Sequence, residues 1–184
     1  MKKPTQLFLL FTAFISFAFV NPKHSEPKQI NVVIDVAHGG DDFGAIYNSI
    51  NEKQIVEQIA NKIKALNKNE NVVLHFTRNS DESISLQKRV DIINAIKPDL
   101  VLSLHVNASK NQDKSGIELY VNKDSELYEM SNDYAMKLSN EMSKNDSFKV
   151  GEIKNAPFFI IKKSTVPVVL IEIGYLSNDK DKKN

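Results

Sequence analysis

From Ile30 to Val106 the chain alternates between two hydrophobic periods, and that alternation restricts the fold more than any other feature of its 184 residues. Ile30 to Val36 is mostly β-branched and apolar, the signature of a buried strand. Near Asn51 to Asn67 the spacing changes: Ile55, Val56, Ile59, Ala60, Ile63 and Leu66 recur on one face of a 3.6-residue helix. Val72 to Thr77 reads as a strand, Leu86 to Ile96 as a helix ended by Pro98, and Leu100 to Val106 as a nearly continuous apolar strand. Strands separated by helices are joined by crossovers, so they lie parallel and the helices cover the sheet.

Beyond Val106 the pattern continues less regularly. Gly116 to Val121 reads as a strand, and Ser125 to about Lys144 as a helix with Leu127, Met130, Tyr134, Leu138 and Met142 along one stripe. Phe158 to Ile161 and Val168 to Ile173, joined through Pro167, read as two final strands. The expected fold is α/β: a single domain with a mainly parallel, roughly six-stranded sheet flanked by helices.

The N-terminus has a different character. A basic start precedes an apolar stretch from Leu7 to Val20, too short for a comfortable membrane span and suited to a secretory signal. Residues 1–18 read as a signal peptide, with an uncleaved anchor as the alternative, and residues 19–29, holding Pro22 and Pro27, read as a linker to a folded domain over 30–184. The expected location is therefore outside the cytoplasm, in a periplasm, an extracellular space or a cell wall. Basic and acidic residues nearly balance, 24 against 23, so no nucleic-acid footprint is present, and membrane contact is expected only through an uncleaved leader. The chain has no cysteine, which excludes disulfides, a lipoprotein anchor and thiolate chemistry. Any metal here must be held by His, Asp and Glu.

Four residues stand out against this background. His38, in Asp35-Val36-Ala37-His38-Gly39-Gly40, and His105, in Ser103-Leu104-His105-Val106-Asn107, each lie at the end of an apolar strand, where sites collect in open parallel sheets. Taken singly, either is more readily a satisfied structural residue than a metal ligand. Glu52 begins its helix on the face of Ile55, Val56 and Ile59, which makes it a plausible third ligand, although Ser49-Ile50-Asn51-Glu52 also fits a capping box. Glu172 interrupts the apolar run from Val168 to Ile173, where a carboxylate needs a cation, a metal or a proton to offset its desolvation. An ion pair with a buried Lys or Arg is the structural alternative. His75 reads as structural, His24 belongs to the linker, and Arg78 is either a substrate-carboxylate contact or a structural residue.

These motifs, in this order, resemble the zinc-dependent N-acetylmuramoyl-L-alanine amidases of the amidase type 3 family, which cut peptidoglycan. The likeness runs through His38-Gly39-Gly40-Asp41-Asp42-Phe43-Gly44-Ala45, Glu52-Lys53, Thr77-Arg78, Leu86 to Val90, Ser103 to Ala108, Gly116-Ile117-Glu118 and Pro167 to Asn178. The resemblance implies zinc held by His38, Glu52 and His105, Glu172 as the catalytic carboxylate, and peptidoglycan as substrate, with protein partners unknown. It also implies Pro and Gly where this chain has Val36 and Ala37, and hence a slightly displaced loop at His38. A further implication is a terminal helix beyond the Ser177-Asn178 motif that the sequence does not reach, so that the domain reads as truncated and one sheet face as uncovered. A wall-binding protein that has lost turnover is the alternative function. A peptidase acting within the stem peptide would use the same site chemistry. The short polar loop after His105 predicts an open groove.

Overall fold

The computed structural model describes residues 28–144 and 149–183. The expected leader at 1–18 and all but Lys28 and Gln29 of the expected linker lie outside them. In chain order the elements are β1 (Ile30–Val36), β2 (Ile46–Tyr47), β3 (Ile50–Asn51), α1 (Glu52–Leu66), β4 (Val72–Phe76), α2 (Leu86–Ile96), β5 (Leu100–Asn107), β6 (Ile117–Val121), α3 (Tyr128–Met142), β7 (Val150–Asn155), α4 (Phe159–Lys163) and β8 (Val168–Tyr175), closed by a 3₁₀ turn at Asp181–Lys183. Among the described residues no helix is long and apolar enough to cross a membrane.

Six strands form one sheet in the order β4-β1-β5-β8-β6-β7. Every pairing is parallel except that between β6 and β8. The central strands are buried on both faces, which is why they read as apolar runs rather than as alternating patterns. On one face Val32, Ile34, Leu104 and Ile171 pack against Val56 and Ala60 of α1 and Ala135 of α3. On the other, Val33, Val101 and Val168 meet Val90 and Ile93 of α2 and Ile160 and Ile161 of α4. Fully burying each of the Val, Leu and Ile side chains among them contributes roughly 1.5–3 kcal/mol. The expected α/β class, the mainly parallel six-stranded sheet and the helices on both faces are all present.

Two elements differ from expectation. Phe158 to Ile161 is not a strand: Phe158 precedes α4, whose neighbouring residues Ile160 and Ile161 are both buried while Lys162 and Lys163 turn outward. A four-residue apolar run has no periodicity that separates a strand from a single helical turn. The sixth strand is instead β7, Val-Gly-Glu-Ile-Lys-Asn, an edge strand exposed at most positions and paired in parallel with β6. Only Val150 and Ile153 of this edge are partly buried, so the strand shows no apolar alternation and its sequence carries little strand signal.

Register now decides what meets at the carboxyl ends of the strands. β1 and β5 run side by side, with Val36 opposite Leu104, so their ends present His38 and His105 together. His105 lies opposite Glu172 on β8. Because β6 runs antiparallel to β8, the start of β6 reaches the same end of the sheet and sets Glu118 opposite Glu172.

Candidate metal centre

The loop after β1 turns sharply. His38 has φ +58°, and Gly39 and Gly40 follow with φ +127° and +58°. A left-handed backbone at a residue with a Cβ costs roughly 1–2 kcal/mol, so the surrounding contacts must favour it. The positive φ falls on His38 and the glycines, not on Ala37, which is buried with ordinary backbone geometry. The displacement expected from alanine at position 37 therefore has no steric cause here.

Helix α1 brings in the third residue. Its N-cap is Asn51, whose side-chain oxygen accepts from the Gln54 N–H at 3.2 Å. Glu52 is the first helical residue and takes no part in a capping box. Its carboxylate is buried (5% exposed) and points away from the helix end toward both histidines. Glu52 Oε2 lies 3.1 Å from His38 Nε2, and Oε1 lies 2.9 Å from His105 Nδ1. Backbone N–H groups of Ala45 and Val106 donate to the same carboxylate at 2.8 and 3.0 Å. Ligand atoms of His38, Glu52 and His105 all lie within 4.8 Å of one another.

Electrostatics follow from this crowding. Burial pushes Glu52 upward, but hydrogen bonds from His105, His38 and the Ala45 N–H outweigh it and hold the carboxyl well below the usual range. Burial alone would lower His38, but its bonds to Glu52 and Asp42 prevail and raise it. Asp42 supplies a contact that sequence reading assigned no role: its Oδ2 lies 2.9 Å from His38 Nδ1. A proton on Nδ1 satisfies Asp42 and leaves the Nε2 lone pair for a metal, the usual carboxylate–histidine–metal relay. The available signal was an acidic residue four positions beyond His38 in a glycine-rich loop. Gly44 packs so closely that a Cβ there would stand 2.5 Å from Glu52 Oε2.

Glu172 lies beside this cluster without joining it. It has no salt-bridge partner among the described residues, and its Oε2 is buried without any hydrogen bond. The ion-pair alternative is thereby removed. Burial pushes the Glu172 carboxyl up to about 7; His105 draws it down, and the charges of Glu52 and Glu118 add to the rise. Glu118 is itself held by hydrogen bonds from Lys154 Nζ at 2.6 Å, Tyr120 OH at 2.7 Å and Tyr175 OH at 3.0 Å. A cleft of about 480 Å³ opens beside the two histidines, walled by Ser83, Ile84, Leu86 and Ile160.

The remaining candidates do not join the site. Arg78 is 3% exposed and bonds to backbone carbonyls and Glu57, so it is not available to a substrate carboxylate. His75 sits on β4 with its Nε2 3.0 Å from the Asn31 side-chain oxygen. His24 lies outside the described residues.

The donor set suits a zinc-type ion: two imidazoles and one carboxylate, no thiol, all able to bind deprotonated. Three protein ligands would leave a fourth tetrahedral position open, the pattern of catalytic sites. Residues 32–184 match the amidase type 3 family, N-acetylmuramoyl-L-alanine amidase. The chain belongs to this family. It is 30% identical over 152 residues to the N-acetylmuramoyl-L-alanine amidase LytC of Bacillus subtilis (strain 168), and 30% identical over 154 residues to the N-acetylmuramoyl-L-alanine amidase CwlM of Bacillus licheniformis. Those alignments cover 82% and 83% of this chain, which spans 30% of the length of LytC and 59% of CwlM. Among solved structures, the N-acetylmuramoyl-L-alanine amidase from Clostridium difficile 630 superposes with a TM-score of 0.78 at 28% identity, covering 85% of each chain.

Proposed function

We propose that this member of the amidase type 3 family is a zinc-dependent N-acetylmuramoyl-L-alanine amidase. It hydrolyses the amide between the lactyl group of N-acetylmuramic acid and the L-alanine of the peptidoglycan stem peptide. One observation carries the reading: a buried carboxylate oxygen of Glu172, without a hydrogen-bond partner among the described residues, on the strand position opposite His105, whose ring belongs to the His38–Glu52–His105 cluster and lines the cleft together with His38. The amidases with which the chain aligns support the choice of bond. The catalytic domain is taken to be residues 30–184, and the signal-like leader at 1–18 favours action outside the cytoplasm.

His38, Glu52 and His105 would hold the metal. Bound zinc supplies Lewis acidity, lowering the pKa of water and polarising a carbonyl. Glu172 takes the proton from the attacking water, while the hydroxyl oxygen forms its bond to the lactyl carbonyl carbon. The carbon–nitrogen bond then breaks, and Glu172 returns that proton to the departing alanine nitrogen. A carboxyl pushed up to about 7 can both accept and release a proton near neutrality. Asp42 holds the His38 ring, and the cleft walls seat the glycan-linked peptide.

Incubation of zinc-loaded protein with purified muropeptides, followed by mass spectrometry, tests the assignment. The expected products are free stem peptides with an L-alanine amine and glycan carrying an intact lactyl carboxyl. A new amine inside the stem would indicate a peptidase. No cleavage at several pH values, with zinc occupancy verified, would leave a wall-binding role instead.

A further inference from the structure

Three cationic side chains outside the metal cluster, each more than nine-tenths buried, converge on the loop that carries His38. Arg89, from α2, donates to the Val36 carbonyl at 2.6 Å and to the carbonyl of His38 itself at 2.5 Å. Arg78, following β4, donates to the Val36 and Ala37 carbonyls at 3.1 and 3.3 Å. Lys53, from α1, donates to the Gly40 carbonyl at 2.6 Å. Each has its own counter-charge: Asp35 at 2.9 Å from Arg89, Glu57 at 3.0 Å from Arg78, and Asp81 at 2.8 Å from Lys53. Asp35 is further pinned by Thr77 Oγ1 at 2.8 Å and Ser103 Oγ at 2.7 Å, both donating to it.

Such bonds constrain a backbone that would otherwise relax. A left-handed residue bearing a Cβ, followed by two glycines with positive φ, is not a conformation that a free loop holds. Of the three cations, Arg89 alone bonds to the carbonyl of the residue whose φ is strained. Its planar fork spans the Val36 and His38 carbonyls and the Asp35 carboxylate at once, which an ammonium group cannot do. It is also the one of the three that borders the cleft.

We propose that Arg89, held by Asp35, is a positioning residue for His38. By fixing the carbonyl of His38 it sets the ring with Nε2 toward Glu52 and Nδ1 toward Asp42, and so pre-forms the ligand cluster before a metal arrives. The inference rests on reading His38 as a metal ligand, and it extends to the loop backbone the rule that groups behind a ligand tune its affinity.

Arg89→Lys keeps the charge and loses the fork. Zinc affinity, measured by competition with a chromophoric chelator, should fall about 10–100-fold, the range seen when a group that orients a ligand is lost. The visible absorption of the cobalt-substituted protein should change in intensity and position. Arg78→Lys, at an equally buried site that does not bond to His38, is the control: it should lower the melting temperature with a smaller loss of affinity and an unaltered cobalt spectrum. If both variants lose stability alike and keep wild-type zinc affinity and cobalt spectra, Arg89 is ordinary scaffold and the proposal is overturned. Should Arg89→Lys not fold, Ser103→Ala removes one donor from Asp35; a several-fold loss of zinc affinity then supports the proposal, and unchanged affinity sinks it. His38→Ala separates the two levels. Wild-type protein without tight zinc removes the metal reading and this proposal together, whereas tight zinc lost in His38→Ala but kept in Arg89→Lys removes only the positioning role.

Discussion

Replacing Glu172 by Gln should abolish turnover and yet stabilise the fold, by an amount that depends on pH in a defined way. The carboxyl has an ordinary value of 4.5 in the unfolded chain and is pushed up to about 7 in the native state by burial, with the charges of Glu52 and Glu118 adding to the rise. Below pH 4.5 it is protonated in both states and its contribution to stability is fully present. As the pH rises from 4.5 through about 7, the unfolded chain releases the proton while the native state retains it, so native stability falls. At about 1.4 kcal/mol for each pH unit between the two values, the loss approaches roughly 3 kcal/mol by pH 8, an upper figure because Glu172 is only partly buried. Glutamine cannot ionise and escapes the loss. Its amide also lacks a partner at this position, but that cost is the same at every pH.

The assay is urea or thermal unfolding of wild type and Glu172→Gln in the presence of chelator, from pH 4 to 9. All other titrating groups are common to both proteins, so the difference between them isolates Glu172. It should grow in favour of the variant from pH 4.5 to 7, by up to about 3 kcal/mol, or roughly 2–4 °C in Tm for each kcal/mol in a domain of this size. A difference that stays flat within about 0.5 kcal/mol, or that widens toward acid, would refute the idea of a desolvated, unpaired carboxyl.

Further consequences concern the same few residues. The general base must be ionised to accept a proton, so kcat/KM for muropeptide hydrolysis should fall toward acid with an apparent midpoint at or below about 7, since a bound cation draws the carboxyl downward; activity that climbs steadily below pH 5 would contradict the role. Asp42→Ala removes the acceptor 2.9 Å from His38 Nδ1 and should weaken zinc binding by about 10–100-fold in chelator competition, with little change in the far-ultraviolet circular dichroism. Gly44→Ala places a methyl 2.5 Å from Glu52 Oε2 and 2.7 Å from His38 Cδ2 on a backbone with φ +64°, so metal stoichiometry and stability should both drop, the latter by more than about 1 kcal/mol. An alanine variant that binds zinc like wild type would show that the loop at Gly44 yields to a Cβ without disturbing Glu52 or His38.

Where side chains are buried on both faces, the sequence was readable. β1, β5 and β8 are apolar runs and α1 to α3 show helical spacing, so the parallel sheet is legible in the sequence. β7 could not, because an edge strand carrying Glu152 and Lys154 in water has no burial pattern to display. α4 reads as a strand in the sequence because one helical turn and a short strand share the same apolar run. In the site, His38, His105, Glu52 and Glu172 were visible as polar residues at strand ends, at a helix start and in an apolar strand. Asp42, Lys53 and Arg89 were present in the same motifs, but nothing in their spacing reveals that they grip the loop of His38. Their partners are backbone carbonyls and distant carboxylates, and contacts of that kind exist only once the chain is folded.

Metal stoichiometry after exhaustive dialysis tests the proposed centre most directly. Wild type and Glu172→Gln should each retain about one zinc per chain, because Glu172 lies outside the ligand cluster, while His105→Ala should retain little or none. Zinc absent from the wild type, or kept undiminished by His105→Ala, would contradict a centre built from His38, Glu52 and His105.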